Sequence, residues 1–222
     1  MMQSNLRMKF STMLENIAIN AYQFFEEAKQ SGLKNAFRKA FFLNAEIIPV
    51  VKKLNDTNPL HGLLDKHNLD LIDIAKDAPY FNYSYRLKSR LMKTKRNVRN
   101  GFKGFALVSK NIIVGDIWFV TWETTHHQHL HEDVELLFLN PGEKDVYMFD
   151  MFIDPDQRGK NIAIALMGSA LYALRQSGHQ NAFGFFEMKN IPALWTHRTL
   201  KFKEFNHVYF SRIFFKRFSR KK

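Results

Sequence analysis

Cysteine is absent from the 222 residues. This excludes disulfides, a thiolate nucleophile and any cysteine-based metal site, and it fits a reducing, cytoplasmic setting. No run approaches the ~20 consecutive apolar residues that a membrane-spanning helix needs. The opening residues MMQSNLRMKF are polar where a secretion signal has its apolar region, so export is not expected. Acids are missing from two stretches. Residues 78–115 hold nine Lys or Arg and no acid, and six more basic residues follow Glu204, again with none. The net charge is +12 and the pI about 9.8. Such a surface attracts polyanions: nucleic acid, anionic lipid, an acidic carrier protein or a phosphate-rich cofactor. Internal repeats and low-complexity segments are lacking too.

What is present is apolar bulk. Hydrophobic residues make up 45% of the chain and charged residues 24%, with 22 phenylalanines. That composition builds a globular core rather than a disordered chain, and the large aromatics imply a Phe-packed, sheet-rich interior. Leu6, Phe10, Met13, Leu14, Ile17, Ala21, Phe24, Phe25 and Ala28 recur at steps of three and four, which predicts a helix over 5–30 whose stripe packs on a sheet. A second helix is expected over 33–42, a strand over 41–51, and helices over 63–76 and 84–98. Beyond Asn100-Gly101 the pattern changes. Strands are predicted at 102–108, 112–122, 134–139, 145–153, 181–187 and 208–215, with helices at 160–177 and 190–200. The order implies a mixed α/β (α+β) sheet with helices packed on it. The organisation read from it is a helical N-terminal extension over 1–40, one domain over 41–216 and a basic tail over 217–222.

The most informative stretch is MFDMFIDPDQRGKNIAIALMGSALYAL. An apolar strand is broken at Asp154-Pro155, turns through Arg158, Gly159 and Lys160, and enters a helix rich in small residues. The first turn of a helix presents unpaired N–H groups and the positive end of the dipole, so it is an anion site. Gly159 lets the backbone approach an anion closely, and Arg158 and Lys160 add charge. Ala163, Ala165, Gly168 and Ala170 let the helix lie close to its sheet. The bland alternative is an ordinary surface connection with solvated cations.

This run resembles the pyrophosphate turn of the GNAT superfamily of N-acyltransferases, whose pattern is Gln or Arg, two residues, Gly, any residue, then Gly or Ala. Arg158 and Ala163 match its ends, and Asn161 stands in place of Gly; Asn is among the residues that tolerate a left-handed backbone. A second segment is similar to the family's Asn, small residue, Tyr and Gly-Phe series: Asn190, Ala193, His197 and Phe202 keep the spacing, with Lys201 where Gly is usual and His197 where Tyr is usual. The resemblance covers residues 101–215.

The resemblance implies a GNAT-like, mostly antiparallel central sheet splayed between the strands at 145–153 and 181–187. It implies an N-acyltransferase using acetyl-CoA or another acyl-CoA, with direct attack by the amine of a small-molecule or protein acceptor. Backbone groups of Met151 and Ile153 would pair with the pantetheine arm, and the amides of Arg158, Gly159, Lys160, Asn161 and Ala163 would hold the pyrophosphate. His197 would stand as acid toward the leaving thiolate, or be a capping histidine. Asn190 would bond the cofactor, or cap its helix. Glu123 is the candidate general base. An acyl carrier protein as donor, with the Phe-rich strand 181–187 forming an acyl tunnel, is a further reading, and so is a non-catalytic GNAT-like domain whose basic face binds nucleic acid or an anionic membrane. Tyr80, Phe81, Tyr83 and Tyr85 precede the basic stretch and offer stacking surfaces to bases. His126, His127, His129 and His131 form a cluster able to bind zinc or nickel, or simply a polar loop; no metal is assigned.

Overall fold

Period-two alternation in the second half of the chain and helical periodicity elsewhere account for most of the elements formed. The computed structural model describes residues 17–29, 31–74, 82–125, 130–213 and 216–222. Leu6 to Leu14 of the N-terminal stripe, Tyr80, Phe81 and three of the clustered histidines (His126, His127, His129) lie outside them. The chain runs through α1 (17–29), α2 (Leu33–Phe41), β1 (Phe42–Lys53), α3 (His61–His67), β2 (Asp70–Asp73), α4 (Lys88–Arg99), β3 (Lys103–Ser109) and β4 (Ile112–Val120). It continues with α5 (Glu132–Leu136), β5 (Val146–Ile153), α6 (Ile162–Gln176), β6 (Asn181–Glu187), α7 (Ile191–Thr199), β7 (Lys203–Glu204), β8 (Val208–Ile213) and β9 (Lys216–Lys221). The strands form one sheet in the order β2-β3-β4-β5-β6-β1-β8-β9, with β7 also on β1. Every pairing is antiparallel except β5 with β6. No helix among the described residues is long and apolar enough to cross a membrane.

Alternation along the strands sends side chains to two cores. Phe105, Leu107, Val114, Ile117 and Phe119 of β3 and β4 meet Ile162, Leu166, Ala170, Leu171 and Leu174 of α6 on one face. Each buried leucine or isoleucine contributes about 1.5–3 kcal/mol. The small residues of α6 serve this packing: a Cβ on Gly168 would overlap Leu60 Cδ1. On the other face Ala106, Val108, Ile113 and Trp118 meet Tyr83, Tyr85 and Val98 of the α4 region. Phe183 and Tyr147 pack there under Leu130, Val134 and Leu137.

Several expectations are corrected. Residues 63–76 are not one helix: α3 ends at His67 because Asn68 turns left-handed at φ 50°, and β2 then pairs with β3. Residues 134–139 do not form a strand. His131 Nδ1 accepts the Asp133 N–H and caps α5, whose first turn carries Glu132, Asp133 and Glu135, acids that suit the positive end of a helix. The segment read as a basic tail forms most of β9, paired along β8. Its lysines and arginines guard a sheet edge against further pairing. In the described part of the N-terminal stripe, Ile17 and Phe25 are 53% and 62% exposed, while Ile19, which lies off the stripe, is buried. Glu26, bonded to the Ser89 amide and hydroxyl of α4, turns the polar side of α1 inward.

Helices α6 and α7 end alike. Gly178 and Lys201 sit at φ 87° and 57°. In each case the left-handed residue's N–H bonds back three residues and the next N–H bonds back five, to Arg175 and Leu174 in one case and to Arg198 and His197 in the other. This is the Schellman cap, which favours glycine. A left-handed non-glycine residue costs roughly 1–2 kcal/mol. Lys201→Gly is therefore expected to raise the melting temperature by about 2–4 °C; thermal unfolding checks it, and an unchanged or lower midpoint refutes it.

Candidate functional site

The site is built where two neighbouring strands part. β5 and β6 pair only at Val146↔Ala182 and Tyr147↔Phe183. Beyond that, β5 keeps its ladder to β4 as far as Ile153 and β6 keeps its ladder to β1 as far as Glu187. Each strand is held from outside, and the edges they turn toward one another beyond this point lose their pairing. Gly184 stands at the apex of the fork, where a Cβ would come within 3.2 Å of the Met148 carbonyl oxygen.

The open end of the fork meets the turn into α6. Asp154 stops β5: its Oδ1 accepts the Asp156 N–H, and its carbonyl accepts the Gln157 N–H. The Arg158 N–H is also engaged, with the Pro155 carbonyl at 3.3 Å, so the amide expected there to hold a pyrophosphate is not free; the six N–H groups after it, Gly159 through Ile164, have no acceptor among the described residues. Two left-handed residues shape the loop, Gly159 at φ 78° and Asn161 at φ 61°, so the position where the resemblance lacked its glycine keeps a glycine-like backbone. Nothing lies within 4 Å of the space a Gly159 Cβ would fill. Cations gather around it. Lys160 Nζ folds back on the Asp156 carbonyl at 3.0 Å, Arg158 is exposed, and Arg86 pairs with Asp156 and Asp154.

Within the fork β5 is kinked. Trp118 faces Phe149 and Asp116 faces Phe152, so Ile117 alone opposes both Asp150 and Met151. The extra residue is Asp150, at φ 52° inside a strand. Arg90 from α4 grips this bulge: Nη1 donates to Asp150 Oδ1 at 2.9 Å and Nη2 to the Asp150 carbonyl at 2.8 Å. Nε and Nη2 also reach Asp116, which takes the Trp118 indole N–H at 2.8 Å. Lys93 Nζ lies 2.8 Å from Asp150 Oδ1, while Oδ2 is buried with no hydrogen-bond partner among the described residues. Burial works against the Arg90 charge, but Asp116 and Asp150 outweigh it. Burial likewise disfavours the Asp150 carboxylate, and Arg90 and Lys93 overcome this and hold its pKa below the usual range.

No family model matches the chain, and no curated protein matches it in sequence. Solved structures do. The glucosamine N-acetyltransferase region of a fungal multi-domain β-N-acetylglucosaminidase superposes with a TM-score of 0.55 at 14% identity, over 81% of this chain and 22% of that one. The fold is that of the GNAT superfamily. A tandem GNAT protein from the clavulanic acid biosynthesis pathway is similar at TM-score 0.48 and 11% identity, covering 85% of this chain and 58% of that one. An aminoglycoside N-acetyltransferase in complex with CoA is similar at 0.42 and 12%, covering 60% and 91%.

Set in the GNAT fold, the residues singled out from sequence divide. Met151 and Ile153 lie on β5 beyond its last pair with β6, and Arg158, Gly159, Lys160, Asn161 and Ala163 line the turn. Asn190 caps α7, its Oδ1 accepting the Ala193 N–H at 3.2 Å. Glu123 is exposed just beyond β4, at the end where β5 and β6 are still paired, so the structure does not bring it to the fork. His131 is engaged in capping and packs its ring, tilted by 30°, against those of Phe149 and Tyr147; among the described residues no cluster suits a metal. Sequence reasoning missed Arg86, Arg90, Asp116 and Asp150, which only tertiary contact unites. A cleft of about 420 Å³ lined by Lys53, Asn55, Arg175, His179, Gln180 and Asn181 opens at the paired end of the strands, away from the fork.

His197 is buried. It stacks on Phe186 and meets Phe202 edge-to-face, each centroid 4.8 Å away, and its Nδ1 lies 2.7 Å from the Ala193 carbonyl oxygen. That contact needs the proton on Nδ1, which leaves Nε2 as an acceptor while the ring is neutral. Burial lowers its pKa, opposed in part by the Ala193 carbonyl. The unfolded chain therefore binds this proton more readily than the folded one, and stability falls as pH drops below the ordinary histidine value of ~6.5. His197→Phe is expected to flatten that decline between about pH 6.5 and 5, read by urea unfolding across pH. An unaltered slope means the ring titrates normally.

Proposed function

We propose that this protein is an N-acyltransferase that moves an acyl group, acetyl being the first expectation, from a CoA thioester directly to a primary amine. The observation that carries the reading is the conjunction of an unpaired strand fork with six free amides at its mouth. Either feature alone is a common irregularity. Together they offer an extended backbone edge for an amide-bearing arm and an anion cradle for a diphosphate, in the order in which CoA joins them.

The residues fit the group. The amides of Gly159 to Ile164 span the loop into α6 and its first residues, where the helix dipole favours negative charge, and the room above Gly159 admits a phosphate. Arg158, Lys160 and Arg86 supply countercharge. The edges of Met151 and Ile153 would align the arm, and such alignment can provide the largest part of the rate effect. Bound there, the thioester brings an activated acyl carbon; the amine's N–C bond forms as C–S breaks, and the proton the amine loses balances the one the thiolate gains. A neutral, internally bonded His197 argues for a ring that packs the fork's α7 wall rather than one that donates a proton. The acceptor amine approaches from the α4 face, because α6 covers the other.

The alternative of a nucleic-acid surface loses part of its footing. Arg90 and Lys93, two of the basic stretch's cations, are engaged with Asp116 and Asp150 instead of facing solvent. Calorimetric titration with CoA, followed by thiol release from acetyl-CoA against a panel of primary amines, tests the choice. Micromolar CoA affinity and amine-dependent thiol release are expected. Absence of CoA binding, with RNA binding that weakens steeply in salt, refutes the transferase.

A further inference from the structure

The buried charge cluster under β5 is the part of the molecule that its packing explains least. Four ionisable groups from three elements are brought together with side-chain exposures of 7% for Arg90, 0% for Asp116, 18% for Asp150 and 23% for Lys93. Taking such groups out of water is expensive, and apolar residues of similar volume often serve stability as well or better. The cluster also holds a backbone conformation that aspartate adopts only at a cost: a left-handed residue in mid-strand, worth of order 1–3 kcal/mol of strain. One carboxylate oxygen is buried with no hydrogen bond among the described residues. Strain of this kind persists only where the surroundings over-determine it.

We infer that Arg90, locked by Asp116, is a positioning residue that clamps the Asp150 bulge and thereby sets where the open edge of β5 presents its amide groups to a thioester carbonyl; this rests on the transferase reading. The geometry singles out Arg90. Its guanidinium bonds both the side chain and the main-chain carbonyl of Asp150, so it fixes the peptide itself as well as the carboxylate. The same group is fixed from behind by Asp116, which the Trp118 indole N–H holds in turn, and its central carbon lies 5.1 Å from the centroid of the Phe152 ring on the far side of the bulge. The strand is thus held at Asp150 and again at Phe152. A bulge turns the following residues relative to the sheet. In β5 it falls three residues beyond the last pair with β6, where the strand edge is open. Lysine cannot replace the guanidinium, because a single ammonium has no planar fork to reach two carboxylates and a carbonyl at once. The clamp acts at residue 150 of β5, ahead of the Asp154-Pro155 break that begins the turn, so it is expected to govern the acyl end and leave the anion end alone.

The experiment measures affinity for CoA and for acetyl-CoA separately, with thiol release from acetyl-CoA as a second readout. Wild-type protein is expected to bind acetyl-CoA about 2–10-fold more tightly than CoA, the worth of one hydrogen bond to the carbonyl. Arg90→Lys is expected to keep CoA affinity within about threefold, to lose the preference for acetyl-CoA, and to lower kcat about 30–100-fold, as a misplacement near 1 Å does. Should that variant not fold, Asp150→Val and Asp150→Asn decide. Valine resists the left-handed backbone and accepts no hydrogen bond, so it is expected to fall as Arg90→Lys does. Asparagine tolerates that backbone and keeps an acceptor oxygen, and it is expected to recover at least tenfold in kcat over valine. The clamp is refuted if these variants keep the acetyl-CoA preference and kcat, if CoA and acetyl-CoA affinity fall together, or if asparagine is as impaired as valine, which would make the charge itself the working group. Wild-type protein that binds no CoA refutes the transferase reading and the clamp with it, whereas CoA binding with an indifferent Arg90 refutes the clamp alone.

Discussion

Gly159→Val is expected to lose CoA affinity by about 100-fold or more while the protein stays folded. Gly159 stands at φ 78° with nothing within 4 Å of the point a Cβ would occupy, so the new side chain meets no wall and the whole effect is conformational. A left-handed β-branched residue costs upward of the roughly 1–2 kcal/mol typical of non-glycine residues, and the loop relaxes toward negative φ to avoid it. That rotation turns the neighbouring peptide planes, and with them the N–H groups that must converge on a diphosphate. Hydrogen bonds to a charged acceptor are worth about 1.5–3 kcal/mol each; losing two of them gives about 100-fold or more. The turn is exposed and the amides of Gly159 to Ile164 bond nothing among the described residues, so the melting temperature is expected to drop by only a few degrees. Titration calorimetry with CoA and a thermal scan on the same sample suffice. Retained affinity, within about threefold, means that the turn is not where the diphosphate sits.

Asp116→Ala is expected to cost about 3–5 kcal/mol of folding stability. The carboxylate is fully buried and accepts from Arg90 Nε, Arg90 Nη2 and the Trp118 indole. Its removal leaves the guanidinium in a low-dielectric site with Asp150 as its remaining anion, and strands an indole N–H. Replacing Arg90 and Asp116 together by methionine and leucine is expected to restore much of the loss, because no charge is then left unpaired. Urea unfolding of the two variants gives the comparison. A single-variant loss below about 1 kcal/mol would mean that water reaches the site and takes over the bonds.

Both variants probe features of unequal legibility. The turn is local: an apolar strand, Asp154-Pro155 and a helix of small residues are contiguous in sequence, and the free amides follow from helix geometry without reference to anything distant. Asn161 shows how far local chemistry reaches, since its tolerance for left-handed backbone is a residue property and the chain uses it, at φ 61°. The errors lie where tertiary contacts overrode the pattern. Residues 134–139 carry an apolar run that suits a strand, yet His131 and three acids make a cap, and the run as far as Leu136 is drawn into α5. Residues 217–222 are polar enough to be a tail, yet β8 offers them an edge. The stripe of α1 has the period of a core helix, yet Glu26 turns it outward to reach Ser89.

By itself, then, the sequence determined the punctuation of the chain, the alternation of its strands and the anion-binding character of one turn, because each depends on residues within a few positions of one another. Tertiary structure alone decided that β5 and β6 part after two residue pairs, that Glu123 falls at the closed end of the fork, that His197 is enclosed between two phenylalanine rings, and that Arg90 meets Asp116 and Asp150 across 26 and 60 residues. These are questions of which surfaces meet, and burial and desolvation, which set their energies, come into being only when the sheet is assembled.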